Sequence, residues 1–279
     1  ANSSTPTDPS STTDPSTPAD NSSTNGTPRH KYTLDWKDHS QIYYLNKAIL
    51  HYDYNLAYYP PLSEGLTPTV PSRREYIYFI HDLFESQEDS PHNLKGLDIG
   101  VGANCIYPII GNKEFGWTFT GSDICEESIT IAQEIVDKNG LQKDIQLKLQ
   151  KGNYENSQNV LQIFDNIVGD DTYDFSMCNP PFFNSITERV KRDSVTSTKT
   201  RREEEATQGG EIGFLCRMVK ESIKYKKNIK WFTTFIGRKM DYVFLCKYLD
   251  TMVEEDLVYT TGTIERGYTK RWILAWKFT

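Results

Sequence analysis

Short apolar runs punctuate the chain from residue 94 onward, each too short for a helix and bounded by glycine or polar residues. They predict strands at Gly96–Ile99, Trp117–Ser122, Ile145–Leu149, Tyr173–Cys178, Lys230–Ile236, Leu257–Thr260 and Trp272–Phe278. Segments with apolar residues at helical spacing lie between them and predict helices at Asn104–Ile110, Glu126–Asn139, Ser157–Phe164, Glu211–Lys226 and Tyr242–Met252. Such alternation predicts an α/β domain with a seven-stranded, mostly parallel sheet covered on both faces. Two helices precede it. Gln41–His51 places Ile42, Leu45, Ile49 and Leu50 on one face, and Ser72–Phe84 opens on Ser72 with Glu75 three residues later, the signature of a capping box. The expected organisation is a disordered Ser/Thr/Pro-rich tail over 1–30, a helical module over 31–93 and the α/β domain over 94–279, with a basic loop at 184–208.

In sheets of this kind ligands sit at the carboxyl ends of the strands, so the residues that follow each run carry the chemistry. The first run leads through Asp98 into Gly100-Val101-Gly102-Ala103-Asn104. Glycines there let the backbone take positive φ and approach a ligand closely. The dinucleotide fingerprint requires a third glycine where Cys105 stands, so that reading fails. An acid at the strand end followed by Gly-x-Gly is instead the pattern of S-adenosylmethionine enzymes. Asp123 ends the second run, where a carboxylate commonly accepts hydrogen bonds from ribose hydroxyls.

The fourth run ends in Cys178-Asn179-Pro180-Pro181-Phe182-Phe183. The two prolines fix φ, and Pro180 biases Asn179 towards extended geometry, which makes a stiff loop. The Asn179 amide oxygen and the Pro180 carbonyl are then two acceptors able to grip one exocyclic amino group. Phe182 or Phe183 offers a ring for a flat base.

Together Gly96–Gly111 (GLDIGVGANCIYPIIG), Cys178–Phe183, Gly209-Gly210-Glu211, Arg271–Phe278 (RWILAWKF) and Pro68–Arg73 (PTVPSR) resemble the methyltransferase-like 16 family. That resemblance spans roughly residue 32 to the C-terminus. It implies a Rossmann-like class I S-adenosylmethionine-dependent methyltransferase fold, and formation of N6-methyladenosine in U6 small nuclear RNA. Bacterial relatives of that family methylate an adenine of large-subunit ribosomal RNA, which is the alternative target. The resemblance places Arg73, Gly100, Asn104 and Asp123 at cofactor-binding positions beside Asp98 and Gly102, and Asn179, Pro180, Pro181 and Phe182 at catalytic ones. It also matches Lys151 to a lysine that regulates cofactor access. The chain departs from the family at three points. Asn104 replaces a small hydroxyl residue, Gly152 replaces a threonine, and a Ser/Thr/Pro-rich tail stands where animal members carry a basic N-terminal arm, so that arm is expected to be missing or replaced. Glutamine methylation of a protein, by a similar Asn-Pro-Pro loop, and a non-catalytic RNA-binding scaffold remain as other readings.

Composition narrows how RNA is held. The 279 residues carry a net charge of −7, which excludes a generally basic nucleic-acid coat. Nineteen of the first 28 residues are Ser, Thr or Pro, and none is Lys, Arg or aromatic. That tail lacks the apolar area to offset its ordering entropy. Positive charge concentrates instead in Arg189, Lys191, Arg192, Lys199, Arg201 and Arg202, directly after the Asn-Pro-Pro-Phe motif. A second run, Lys220, Lys224, Lys226, Lys227 and Lys230, reads either as an RNA surface or as a solvated helix end. The expected partner is a structured RNA with a flippable adenosine, with no metal and no membrane. Five dispersed cysteines, three of them in apolar runs expected to be core, suit a reducing compartment, and five histidines lack metal-ligand spacing. No signal peptide opens the sequence, and the expected location is the nucleus, with the cytoplasm as the alternative.

Overall fold

The computed structural model describes residues 33–36, 38–61, 69–86, 91–150, 162–180, 210–252, 256–266 and 269–279. The expected tail, Lys151, Pro181 to Phe183 and the whole basic loop lie outside them. Asp35–Thr279 cluster as one unit. Among the described residues no helix is long and apolar enough to cross a membrane.

Two helices, α1 (His39–Tyr54) and α2 (Val70–Glu85), lead into β1 (Lys95–Ile99), α3 (Ile106–Phe115), β2 (Thr118–Asp123), α4 (Glu126–Lys138), β3 (Ile145–Leu149) and β4 (Tyr173–Cys178). After the basic loop come α5 (Gly210–Ser222), a short 3-10 turn, β5 (Ile229–Ile236), α6 (Lys239–Asp250), β6 (Leu257–Arg266) and β7 (Thr269–Phe278). The strands form a seven-stranded sheet in the order β3-β2-β1-β4-β5-β7-β6. β1 to β5 run parallel, and β7 pairs antiparallel with both β5 and β6.

Each face of the sheet carries its own core, as period-two alternation requires. Trp231 and Phe235 point into one core with Phe119, Phe175 and Met177; Phe232 and Ile236 point into the other with Leu97, Ile99 and Trp276. Leu50, Tyr54, Tyr76, Ile77 and Ile80 join the first core, so α1 and α2 share it with the sheet. A Cβ at Gly96 would stand 2.5 Å from Phe175 Cζ and 2.7 Å from Phe119 Cε1, so only glycine lets both rings lie across β1.

Four expectations need correction. The helix expected from Ser72 begins at Val70, because Pro71 supplies a preset φ for its first turn and the buried Asn46 of α1 accepts the Val70 N–H at 3.0 Å. The Ser72/Glu75 capping box is therefore not the start; Thr69 is the cap residue. The helix expected at Ser157–Phe164 lies mostly outside the described residues, and its described part, 162–164, is not helical. β6 runs to Arg266 rather than Thr260, because backbone pairing to β7 carries through its largely polar second half, where Ile264 also enters the first core. Of the cysteines, only Cys105 and Cys178 are fully buried, while Cys216 and Cys246 pack at the edge of the second core.

Candidate functional site

Register brings the predicted residues to one level. Ile99 stands opposite Ser122 on β2 and Cys178 on β4, and Asp123 stands opposite Leu149 on β3. Gly100, Asp123, Asn179 and Gln150 thus all leave the carboxyl edge of four adjacent strands together.

The turn after β1 is held by its neighbour. The Gly100 and Val101 N–H groups donate to the Ser122 carbonyl at 2.8 and 2.9 Å, and the Gly102 N–H donates to Asp123 Oδ2 at 2.9 Å. Gly100 (φ 76°) and Gly102 (φ 64°) occupy the left-handed region, and so does Cys105 (φ 50°). A Cβ on Gly100 would meet nothing within 4 Å, so open space lies over the turn. Asn104 Oδ1 accepts the Ile106 N–H at 3.1 Å and ties the turn to the start of α3. Asn104 Nδ2 lies 3.5 Å from where a Gly102 Cβ would stand. Asp123 also accepts the Cys125 N–H through Oδ1 at 2.9 Å, yet it stays partly exposed at the rim.

Asp98 differs from every other acid in the site. It is 1% exposed, and neither carboxylate oxygen has a hydrogen-bond partner. Burial pushes its pKa up to about 8, the Asp123 charge adds to the rise, and the Arg73 guanidinium opposes it. Arg73 reaches this edge from the first turn of α2 and sits over the Tyr107 ring, 5.6 Å from its centroid. Sequence periodicity offered no reason to bring Arg73 here; the packing of α2 against α3 does.

Asn179 Oδ1 is likewise buried without a partner. Its neighbours were not visible in the motif. Tyr76 of α2 places its hydroxyl within 3.4 Å of Cys178 N, and Thr234 Oγ1 donates to the Cys178 carbonyl at 3.4 Å. Gln150 donates through Nε2 to the carbonyls of Gln162 (2.6 Å) and Asp165 (2.8 Å), while its own N–H donates to the Asp123 carbonyl at 2.8 Å. It therefore anchors both ends of the segment containing Lys151.

Glu211, part of the Gly-Gly-Glu motif, is also buried. One oxygen accepts the Gly237 N–H at the end of β5, and the other has no partner. Burial lifts its pKa to about 7 and Asp241 adds to the rise, against the Gly237 hydrogen bond and the Arg238 and Arg271 charges. Arg271 donates to the Gly237 carbonyl at 3.1 Å. Two family-like motifs, far apart in sequence, therefore hold the same residue, Gly237, at the end of β5.

The second lysine run falls elsewhere. It spans the end of α5 and the start of β5, at the amino edge of the sheet. Lys224 pairs with Asp165 at 2.6 Å and Lys230 with Asp174 at 2.9 Å, so two of its five charges are engaged in ion pairs.

A family model described as RNA methyltransferase matches residues 16–279. The ribosomal RNA large subunit methyltransferase F of Bacteroides thetaiotaomicron is 36% identical over 273 residues, covering 88% of this chain and 86% of that protein. The Escherichia coli protein of the same name is 37% identical over 227 residues, covering 76% and 71%. Among solved structures, the human METTL16 catalytic domain in complex with MAT2A 3′UTR hairpin 1 superposes with a TM-score of 0.74 at 30% identity, covering 88% of this chain and 83% of that one. The N-terminal domain of human METTL16 in complex with SAH gives 0.68 at 29%, covering 88% and 85%.

Proposed function

Starting from the fact that this chain belongs to the RNA methyltransferase family, we propose that it transfers the methyl group of S-adenosylmethionine to N6 of an adenosine in a structured RNA. The observation that carries this reading is the three buried, unpartnered oxygens of Asp98 and Asn179, at adjacent strand ends beside an open glycine turn.

The residues present fit the cofactor. A buried carboxyl with no partner suits a cationic amino group, whose charge and N–H donors supply what Asp98 lacks. Gly100 and Gly102 leave space for close backbone approach, and Asn104, Arg73 and Asp123 line the same edge. Asp123 accepts ribose hydroxyls at the rim, exchanging part of its present bonding. Lys151, which follows directly on Gln150 in the sequence, completes the cofactor-binding set in this reading. When bound, S-adenosylmethionine supplies a methyl group on a sulfonium, which needs no metal and no covalent enzyme intermediate.

What the chain contributes is alignment. Asn179 Oδ1 and the Pro180 carbonyl accept hydrogen bonds from the two N6 N–H groups, which orients the amino lone pair towards the cofactor side; once the methyl has left the sulfonium as the thioether departs, the methylated nitrogen is acidic and releases one proton to solvent. Pro181 stiffens that turn, and Phe182 stacks on the adenine once it leaves its helix. Phe183 and the cations Arg189, Lys191, Arg192, Lys199, Arg201 and Arg202 hold the RNA locally, compensating for a net charge of −7. Phosphate contacts of this kind position the strand rather than read its sequence.

The target in this reading is U6 small nuclear RNA, the substrate implied by the methyltransferase-like 16 resemblance, and the place of action is the nucleus. A second reading, methylation of large-subunit ribosomal RNA, is favoured by the names of relatives that match most of the chain. Incubation with labelled S-adenosylmethionine and unmodified transcripts of each RNA, followed by nucleoside mass spectrometry, tests both. N6-methyladenosine in one transcript is expected. Label confined to glutamine of added protein, or no transfer to either RNA, overturns the proposal.

A further inference from the structure

The parallel ladder between β4 and β5 stops early. Its last paired residues are Ser176 and Phe232, although β5 continues to Ile236 and β4 still pairs with β1 at Cys178. The strand that delivers Asn179 is thus bound on one side only by its backbone. On the other side, hydroxyl groups stand where the next rungs would be.

Donor arithmetic gives these hydroxyls a direction. Each carries one proton. Thr233 Oγ1 donates to the Ser176 carbonyl at 2.9 Å, so it must accept from Tyr76, whose hydroxyl lies 2.8 Å away. With its proton so used, the Tyr76 oxygen is left to accept the Cys178 N–H at 3.4 Å. The Thr234 hydroxyl stands beside this chain, 3.4 Å from the Cys178 carbonyl and 3.3 Å from the Phe235 carbonyl, and shares its one proton between them. The chain runs Cys178 N–H to Tyr76 O–H to Thr233 O–H to Ser176 C=O, wholly buried. The Tyr76 ring is wedged edge-on against Tyr107 at 5.5 Å and tilted against Phe235 at 5.8 Å, so its hydroxyl has little freedom to move.

We infer that Tyr76 and Thr233 are positioning residues for the methyl-transfer reaction: their hydroxyl chain replaces the missing β4–β5 rungs and sets the aim of the Asn179-Pro180 turn. The inference rests on the reading that Asn179 grips the acceptor amino group. Tyr76 lies one turn along α2 from Arg73, so a single helix braces the turn on the acceptor side and presents a guanidinium on the cofactor side.

The test compares Tyr76→Phe, Thr233→Val and Thr233→Ser with wild type on the U6 transcript, or on the large-subunit ribosomal transcript if U6 accepts no methyl. Turnover, cofactor KM, calorimetric affinity for S-adenosylhomocysteine and melting temperature are all read. Tyr173→Phe serves as the control. It removes a comparable hydroxyl, bonded to Thr120 Oγ1 at 3.2 Å, from the far end of the same strand. Tyr76→Phe and Thr233→Val should each lower kcat roughly tenfold or more, since small misplacements of reacting groups can cost about a hundredfold. Cofactor KM and S-adenosylhomocysteine affinity should stay within about twofold, as only the acceptor side is disturbed. Combining the two should cost little more than either alone, because both break one chain. Thr233→Ser should restore turnover, and Tyr173→Phe should keep it. Unchanged kcat in both hydroxyl-deleted variants, or kcat and cofactor affinity falling together, overturns the inference. Asn179→Ala in the same assay separates the two levels. If it retains turnover, the acceptor reading fails; if it is inactive while Tyr76→Phe is not, only the hydroxyl chain fails.

Discussion

Replacing Asp98 with asparagine should make the ligand-free protein more stable in mild alkali while weakening its cofactor site. The carboxyl is 1% exposed, without partners, and held near 8 instead of 3.8. Folding therefore takes up a proton that the unfolded chain releases above 3.8. The sign follows directly: this group's destabilisation is absent below the unfolded value, grows as pH rises, and levels off above about 8. At about 1.4 kcal/mol per pH unit the ceiling is ~6 kcal/mol. Asparagine removes the charge but buries an amide with nothing to bond, which returns about 1–3 kcal/mol. The net gain above pH 8 is then a few kcal/mol, or several degrees in Tm at about 2–4 °C per kcal/mol for a domain of this size. Near pH 5 the two proteins should melt together or the variant slightly lower. Glu211 also titrates near 7, but it is common to both and cancels in the difference. Melting curves from pH 5 to 9, with and without S-adenosylhomocysteine, provide the assay. The ligand should stabilise wild type increasingly as pH approaches 8, because its ammonium favours the ionised carboxyl, and should do little for the variant. A pH-independent difference in Tm, or undiminished ligand stabilisation of Asp98→Asn, would refute the reasoning.

Three further outcomes are expected. Asp123→Ala should weaken S-adenosylhomocysteine binding by ~1–3 kcal/mol in calorimetry, the scale of hydrogen bonds to a charged group, with part of the loss arising from the freed Gly102 N–H. Gly96→Ala should lower the denaturation midpoint by ~1–3 kcal/mol, because its Cβ would collide with the Phe175 and Phe119 rings; a neutral result would mean that β1 can shift away from them. Neutralising Arg189, Lys191, Arg192, Lys199, Arg201 and Arg202 should reduce RNA affinity and flatten its salt dependence by roughly 0.7–0.9 per lost phosphate contact, whereas deleting residues 1–28 should change neither; titrations at several salt concentrations would show the reverse if the RNA surface lies elsewhere.

Local pattern determined a good part of this protein. Alternating apolar runs between polar breaks announced the strands, because a strand buried on both faces has few other ways to be written. The glycine turn after Asp98 and the prolines after Asn179 were legible for a similar reason, since fixed φ and positive φ are properties of single residues. What the tertiary structure alone decided is who meets whom. Asn46 caps α2 from 24 residues away, which no local capping rule anticipates. The largely polar second half of β6 is a strand because β7 lies beside it and Ile264 packs into the first core. The lysine run ends at the amino edge of the sheet because α5 ends there, and two of its charges find Asp165 and Asp174 on other elements. Above all, the isolation of Asp98 and the Tyr76–Thr233 chain are long-range facts. A sequence shows that an acid or a hydroxyl is present, but whether it is bonded, buried or left waiting depends on which distant side chains the packing of α2 and β5 brings to it.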